Sequence, residues 1–206
     1  INIRSTPATY LQILDPIRKL FAKTNQASTQ LFSYNGRGAC PRCKGKGVTI
    51  TNMAFMDPVV QTCELCQGKR YCQETLTYHY HEKDIDQVLS LPVKSALEFF
   101  SDQPKISQKL QLLMQVGLGY LTLNQSMTTL SGGELQRIRL ALELNHQGEF
   151  YFLDEPTTGL HLADTDQLLK LFNQLVDQGN TLILIEHNLR VIAQADYLID
   201  LGPDAG

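Results

Sequence analysis

No run of about 18 apolar residues occurs in the 206-residue chain, which excludes a membrane-spanning helix of the usual kind. No long block of like charge occurs either. Charged residues make up 19% and hydrophobic residues 43%, a balance that excludes a disordered, solvating segment. The formal net charge is -3, so the chain as a whole is not a polycation, and any basic patch must be local. There is no secretory signal, and Ile1 is an odd first residue for a natural start; the sequence reads as a segment excised from a longer protein. A phosphate-cradling G-x-x-x-x-G-K-[ST] loop is missing throughout.

What is present is enough apolar material for one large core or two small ones, and five cysteines. Four of them fall into two C-x-x-C pairs, leaving Cys72 over. Without a signal peptide, such pairs point to metal before disulfide, and so to a reducing, cytoplasmic setting.

Four zones follow one another. In residues 1–30, Asp15 suits an N-cap and Pro16 a first helical position. Residues 31–82 are rich in Gly and Cys and end in Thr75–Tyr80, whose alternation predicts a strand. Residues 83–127 look helical. Ala96, Leu97, Phe99 and Phe100 form one apolar cluster, and Ile106, Leu110, Leu113 and Met114 recur at helical spacing before a stop at Gly117. Residues 128–206 alternate: helix from Gly133 to about Asn145, strand Phe150–Asp154, helix from about Asp164 to Val176, strand Thr181–Ile185, helix Asn188–Ala195 and strand Tyr197–Leu201. That alternation predicts an α/β fold with a parallel sheet covered on both faces.

Cys40-Pro41-Arg42-Cys43 and Cys63-Glu64-Leu65-Cys66 are separated by 19 residues, and Gly45, Gly47 and Gly68 give the permissive backbone that tight knuckles need. Four thiolates close a tetrahedral shell with no open position, so the spacing predicts a structural Zn2+ held by Cys40, Cys43, Cys63 and Cys66. Cys72 is expected to be a small buried hydrophobe, and His79 and His81 ordinary strand histidines. Around the knuckles the charge reverses: Arg37, Arg42, Lys44, Lys46, Lys69 and Arg70 face only Asp57 and Glu64 between Gly36 and Tyr71. Such a patch either grips phosphates or simply solubilises a small module. Met53-Ala54-Phe55-Met56 predicts a hairpin between the knuckles, whose apolar residues either wedge into distorted DNA or pack on the module.

In the last zone, Phe150-Tyr151-Phe152-Leu153-Asp154-Glu155 is an apolar strand ending in two acids, the pattern of a Walker B strand. Asp154 would hold Mg2+ and Glu155 would orient and activate a water. Leu130-Ser131-Gly132-Gly133-Glu134 opens a helix whose N-terminus can meet a phosphate, with Ser131, Gly132 and Gly133 in contact with nucleotide. His187 ends a second apolar strand, Leu182–Ile185 plus Glu186, and is placed to reach a terminal phosphate or the water beside Glu155. Each motif alone is weak: acids end many strands, Ser-Gly-Gly caps many helices, and most strand-end histidines are structural.

The order of these motifs resembles the ATP-binding-cassette ATPases: the LSGGE signature, Walker B with its glutamate, Pro156-Thr157-Thr158-Gly159-Leu160-His161 as D-loop, then the switch histidine. With the zinc knuckles, the whole chain resembles the second nucleotide-binding half of the UvrA family of the excinuclease ABC system, or a UvrA-like paralogue. Phe32-Ser33-Tyr34-Asn35, Gly68-Lys69-Arg70-Tyr71, Val116-Gly117-Leu118-Gly119-Tyr120 and Ile185-Glu186-His187-Asn188-Leu189 carry that likeness. The resemblance implies a partial ABC-type (P-loop NTPase) nucleotide-binding domain with a helical signature subdomain and an inserted four-cysteine zinc module. It implies ATP and Mg2+ as ligands of a full-length homodimer, ATP-dependent recognition of damaged DNA in nucleotide excision repair, and a UvrB-type helicase as partner. DNA would lie near the zinc module. In that family one cassette supplies Walker A and B while the other supplies the signature, so Walker A and a glutamine loop are expected upstream of Ile1, and this segment alone is expected to be inactive.

Two departures stand out. Ala39 replaces a more glycine-rich or basic context, and the stretch from Asn145 to Glu149 is short. Both fit paralogues linked to drug or antibiotic resistance. A reading of another class also exists: C-x-x-C-x-G units resemble DnaJ-type zinc modules that bind unfolded polypeptide, but that family carries four units and no LSGGE motif, where this chain has two and one.

Overall fold

A computed structural model of the chain describes residues 4–53, 56–143 and 149–202. Ala54 and Phe55 of the expected hairpin, the expected helix end at Asn145 and most of the short segment after it lie outside these residues. The chain divides into two compact units, Ile1–Gln111 with Gly119–Leu130, and Leu112–Leu118 with Ser131–Gly206. No described helix is long and apolar enough to cross a membrane.

The first unit begins with α1 (Pro7–Tyr10), fixed by a reciprocal capping box: the Thr9 N–H donates to Thr6 Oγ1 and the Thr6 N–H to Thr9 Oγ1. In α2 (Leu14–Thr24) the helix starts two residues earlier than Asp15 and Pro16 suggest. Ile13 is the N-cap without a side-chain bond, and Asp15 sits in the first turn, bonded to Arg18 at 2.6 Å. The apolar stripe of α2 decides the matter, because Ile13, Ile17 and Phe21 are all fully buried one turn apart. Phe21 packs 5.4 Å from Phe32 and 5.9 Å from Tyr80, ring centre to ring centre.

Two strands, β1 (Val48–Met53) and β2 (Met56–Thr62), form an antiparallel hairpin between the cysteine pairs, in register from Val48 opposite Thr62. The expected strand over Thr75–Tyr80 is absent. Thr75–Thr77 is a single 3-10 turn, because the Thr75 hydroxyl donates to the Leu31 carbonyl (2.9 Å) and the Thr77 hydroxyl to that of Glu74 (2.7 Å). Threonine hydroxyls that bond nearby carbonyls offer the backbone an alternative to a ladder. Tyr80 then makes one antiparallel rung with Lys83 around His81 and Glu82, both in the left-handed region. His81 is therefore a turn residue and His79 lies in irregular backbone, neither in a strand; His81 stacks on Tyr80 at 4.2 Å.

Helices α3 (Ile85–Leu89), capped reciprocally by Asp84 and Gln87, and α4 (Val93–Phe99) complete this unit. Helix α5 (Pro104–Gln115) buries Ile106, Leu110 and Leu113 and ends as its sequence predicts. Gly117 adopts φ +71°, and the N–H groups of Gly117 and Leu118 return to the carbonyls of Met114 and Leu113.

The second unit is built from α6 (Gly132–Glu143), β3 (Phe150–Asp154), α7 (Leu162–Asp177), β4 (Thr181–Ile185) and α8 (Leu189–Ile192). β3 and β4 are parallel, joined by the α7 crossover, with Phe150 opposite Thr181 and Asp154 opposite Ile185. Such a crossover is the usual way to bring two parallel strands side by side. The turn into β4 is fixed by buried Asn180, whose side chain donates to the Leu175 carbonyl and accepts from the Glu149 N–H.

Two sequence expectations fail here. Tyr197–Leu201 forms no strand among the described residues, and Leu201 is 92% exposed. The sheet is also not covered on both faces: Phe150, Phe152, Ile183 and Ile185 are exposed, Phe152 at 70%. The sheet containing β3 has two strands among the described residues. An apolar run has the right pattern for a strand, but pattern alone does not pair it with a neighbour, and Tyr197–Leu201 pairs with none among the described residues.

Candidate functional site

The first candidate site is the four-cysteine cluster. Its two knuckles repeat the same backbone path. In the first, the Lys44 N–H returns to the Cys40 carbonyl (2.8 Å), with Lys44 and Gly45 left-handed; in the second, the Gln67 N–H returns to the Cys63 carbonyl (2.7 Å), with Gln67 and Gly68 left-handed. The C-x-x-C-x-G pattern is thus a geometric one: the glycine sits where a side chain would be strained. At Gly45 the constraint is doubled, since a Cβ would lie 1.6 Å from the Tyr34 carbonyl oxygen. The Cys63 N–H donates to Gly47 O (2.9 Å) and ties the knuckles together.

All four sulfurs are buried and lie within 4.8 Å of one another; Cys40 and Cys63 are 4.0 Å apart, Cys43 and Cys66 3.6 Å. A Zn–S bond of about 2.3 Å in a tetrahedron requires S···S edges of about 3.8 Å, so the donor set fits one Zn2+. The cysteines are unbridged. The Cys66 main-chain N–H holds the Cys63 thiol down at about 7, whereas burial pushes Cys66 up to about 12 and raises Cys40. Four sulfurs this close can all carry charge only around a cation. Cys72, expected to be buried, is only half-buried, with its sulfur 3.3 Å from Thr75 Oγ1.

The basic residues around the knuckles separate into three situations. Arg37, Lys44, Lys46 and Lys69 are exposed. Arg42 pairs with Glu64 across the knuckles at 2.8 Å. Arg70, grouped with the phosphate-gripping candidates by sequence, is instead turned inward: its guanidinium lies 5.5 Å over the Tyr34 ring and donates to the Asn124 carbonyl at 3.4 Å. The pattern of charge in the sequence carries no sign of which basic side chain has an aromatic ring beneath it.

The second candidate site lies at the carboxyl ends of β3 and β4. β3 delivers Asp154 and Glu155; β4 runs into Glu186 and His187. The Glu155 N–H donates to Ile185 O at 2.9 Å, adding one rung beyond the ladder. Glu155 itself has φ +44°, an uncommon conformation for a side chain of this size, of the kind that persists where surrounding contacts enforce it. Its carboxylate accepts from the Thr158 hydroxyl (3.1 Å) and lies 3.8 Å from His187 Nδ1. Asp154, Glu155 and His187 are all open to solvent.

Ser131 caps α6. Its N–H and hydroxyl both donate to the Glu134 carboxylate (2.7 and 2.8 Å), and the Glu134 N–H donates to Ser131 Oγ at 3.3 Å. The Ser131 hydroxyl is therefore already engaged by the Glu134 carboxylate. A Cβ at Gly132 would meet open space, and one at Gly133 would lie 3.9 Å from the carbonyl oxygens of Glu155 and Thr158.

Three residues that sequence reasoning left without a role organise this end of the unit. The Gln136 amide lies 2.8 Å from both the N and the O of the Asp154 main chain and, turned to pair donor with acceptor, closes two hydrogen bonds. Arg137 is 2% exposed and donates to Pro156 O at 2.9 Å and Thr158 O at 3.4 Å. Glu186 binds the loop after β3 through Thr157. Gln136 and Arg137 fall in the turn after Gly-Gly and Glu186 adjoins His187, but adjacency to a motif gives no contact; only the fold does.

The family described as ABC transporter matches residues 52–158. UvrABC system protein A of Lactococcus lactis subsp. lactis (strain IL1403) is 51% identical over 212 residues, covering 98% of this chain and 23% of that protein. That of Streptococcus pneumoniae serotype 4 (strain ATCC BAA-334 / TIGR4) is 52% identical, covering 98% and 22%. The crystal structure of UvrA2 from Deinococcus radiodurans superposes with a TM-score of 0.83 at 44% identity, covering 93% of this chain and 25% of that one. This chain spans less than a quarter of the length of the curated relatives quoted. The chain thus belongs to the UvrA family, as an α/β segment of an ABC-type ATPase domain that carries a helical subdomain and a buried four-cysteine module.

Proposed function

We propose that this chain is the signature, Walker B, D-loop and switch-histidine segment of one ATP-hydrolysing cassette in a UvrA-type protein that recognises damaged DNA in nucleotide excision repair. The observation that carries this reading is the convergence of Asp154, Glu155 and His187 at the ends of two adjacent parallel strands, with 3.8 Å between the last two. In this reading Glu155 accepts a proton from water as the water oxygen attacks the γ-phosphorus and the bond to the departing ADP oxygen breaks. His187 holds Glu155 and the water in line. Asp154 would hold Mg2+, which would supply positive charge to offset that of the phosphate oxygens. The phosphate-cradling loop is supplied by another segment of the protein. Ser131, Gly132 and Gly133 serve the nucleotide of the opposing cassette in a homodimer.

The zinc module is the DNA-facing element in this reading. Lys44, Lys46 and Lys69, with Arg37, are exposed on or beside the two knuckles, where they can neutralise phosphates without sequence preference. A cytoplasmic protein working with a UvrB-type helicase fits the named relatives best, since identity to UvrABC system protein A exceeds that to UvrA2. A helicase-binding insertion elsewhere in the parent separates a repair protein from a resistance paralogue.

The test uses the full-length protein on lesion-containing and undamaged duplexes across a salt series, with ATP turnover measured in parallel. Wild type hydrolyses ATP and prefers the lesion. Replacing Lys44, Lys46 and Lys69 together by Ala lowers affinity for both duplexes and flattens the slope of log K against log [salt] by about 0.9 per lost phosphate contact, or about 2.7 in all. Zinc content stays unchanged. An unaltered salt slope moves the DNA surface away from the knuckles; no turnover and no lesion preference in wild type overturns the whole reading.

A further inference from the structure

Glu186 makes the densest set of polar contacts at this end of the second unit. Its Oε1 accepts from the Thr157 N–H (2.9 Å) and the Thr157 hydroxyl (2.6 Å). Its Oε2 accepts from the N–H groups of His187 (3.1 Å) and Asn188 (3.2 Å). Thr157 is buried, and its hydroxyl oxygen in turn accepts from the Asn188 amide at 3.4 Å. One carboxylate therefore spans two loops. The first leaves β3 and carries Glu155 and Thr158; the second leaves β4 and carries His187. Only an ionised carboxylate offers acceptors to four donors at once, and hydrogen bonds to a charged acceptor are about twice as strong as neutral ones.

We propose that Glu186 is a positioning residue that locks the loop after β3 to the loop after β4, and so holds His187 opposite Glu155. This rests on the reading of Glu155 and His187 as hydrolytic residues. The register of β3 and β4 alone is not enough, because it ends at Asp154 opposite Ile185, with one further bond from the Glu155 N–H. Beyond that rung, both loops turn away from the ladder, and the described bridges between them all pass through Glu186, Thr157 and Asn188, apart from the 3.8 Å pair itself. The loop after β3 is also held from its other side, where Arg137 donates to the carbonyls of Pro156 and Thr158. Its carbonyls thus face a cation and its N–H an anion, an arrangement that fixes the peptide plane orientation as well as its position.

The variant that tests this is Glu186→Gln, which keeps shape and volume but turns two acceptor positions into N–H donors facing other donors. In the full-length protein, with any other cassette silenced, kcat for ATP falls tenfold or more while KM for ATP stays within twofold. Thermal stability and zinc content remain those of wild type. Glu186→Asp, which keeps both oxygens on a shorter arm, recovers part of kcat. A purely structural role predicts instead a lowered melting temperature with kcat per nucleotide-binding site unchanged, and that result overturns the proposal. Amide hydrogen exchange without nucleotide supplies an arm independent of hydrolysis. In Glu186→Gln, peptides covering 155–160 and 186–189 exchange at least tenfold faster together, and the rest of the unit does not. Unchanged exchange in those peptides sinks the clamp even if wild type hydrolyses no ATP; accelerated exchange with no wild-type turnover keeps the clamp and removes the hydrolytic reading.

Discussion

Glu155→Gln in the full-length protein lowers ATP turnover by this cassette about 10²–10⁴-fold, the range for losing a general base, and leaves ATP binding within about threefold of wild type. Gln is isosteric with Glu and keeps a side-chain oxygen for the Thr158 hydroxyl, which donates to Glu155 at 3.1 Å. It also leaves untouched the main-chain bond from Glu155 to Ile185 O at 2.9 Å, so the left-handed backbone at this position survives. What it cannot do is take a proton from water. It also removes the charge that faces His187 Nδ1 at 3.8 Å. The measurement compares single-turnover hydrolysis with nucleotide binding, in protein whose other cassette is silenced so that only this glutamate reports. Loss of hydrolysis with retained binding assigns the base. Wild-type turnover places the base elsewhere, whereas loss of both together makes Glu155 a folding residue of the loop.

How much of this could be read without coordinates depends on how local the physics is. Phe150–Asp154 and Thr181–Ile185 have the bounds their sequence predicts, because each is an apolar run closed by polar residues and each pairs with the other. The knuckles are equally local: the glycine of C-x-x-C-x-G answers a left-handed backbone within five residues of its first cysteine. Thr75–Tyr80 and Tyr197–Leu201 show the limit. Both alternate or cluster as strands do, yet the first spends its threonine hydroxyls on Leu31 and Glu74 and the second pairs with no strand among the described residues. Arg70 and Arg137 show it again. Arg70 reads as a surface cation and Arg137 carries no role in sequence, yet each is drawn inward by a partner 36 residues before or 19 and 21 residues after it, Tyr34 for the one and the carbonyls of Pro156 and Thr158 for the other. Long-range partners decide these positions, and composition near the residue does not register them.

The second large effect concerns the metal. Cys63→Ala in the same protein removes the zinc of this cluster and unfolds the region from about residue 36 to 72, while the remainder keeps its structure. The four cysteines themselves form a buried cluster of their own, Cys40, Cys43, Cys63 and Cys66. The hairpin beside them leaves Ile50 and Val60 exposed, so it adds little apolar burial. A module this small therefore depends on the cation for most of its folding energy; structural Zn2+ contributes on the order of 10–16 kcal/mol in zinc-finger peptides near neutral pH. Ala at position 63 keeps both main-chain bonds, the N–H to Gly47 and the carbonyl to Gln67, and removes one of four sulfurs. The effect thus isolates the metal from the backbone. Elemental analysis should show a loss of about one zinc per chain relative to wild type, and limited proteolysis should cut between the knuckles, whereas wild type resists until a chelator is added. If the variant retains one zinc and the same resistance, the cluster is a packed set of thiols and the basic residues around it lose the rigid platform that a nucleic-acid surface requires.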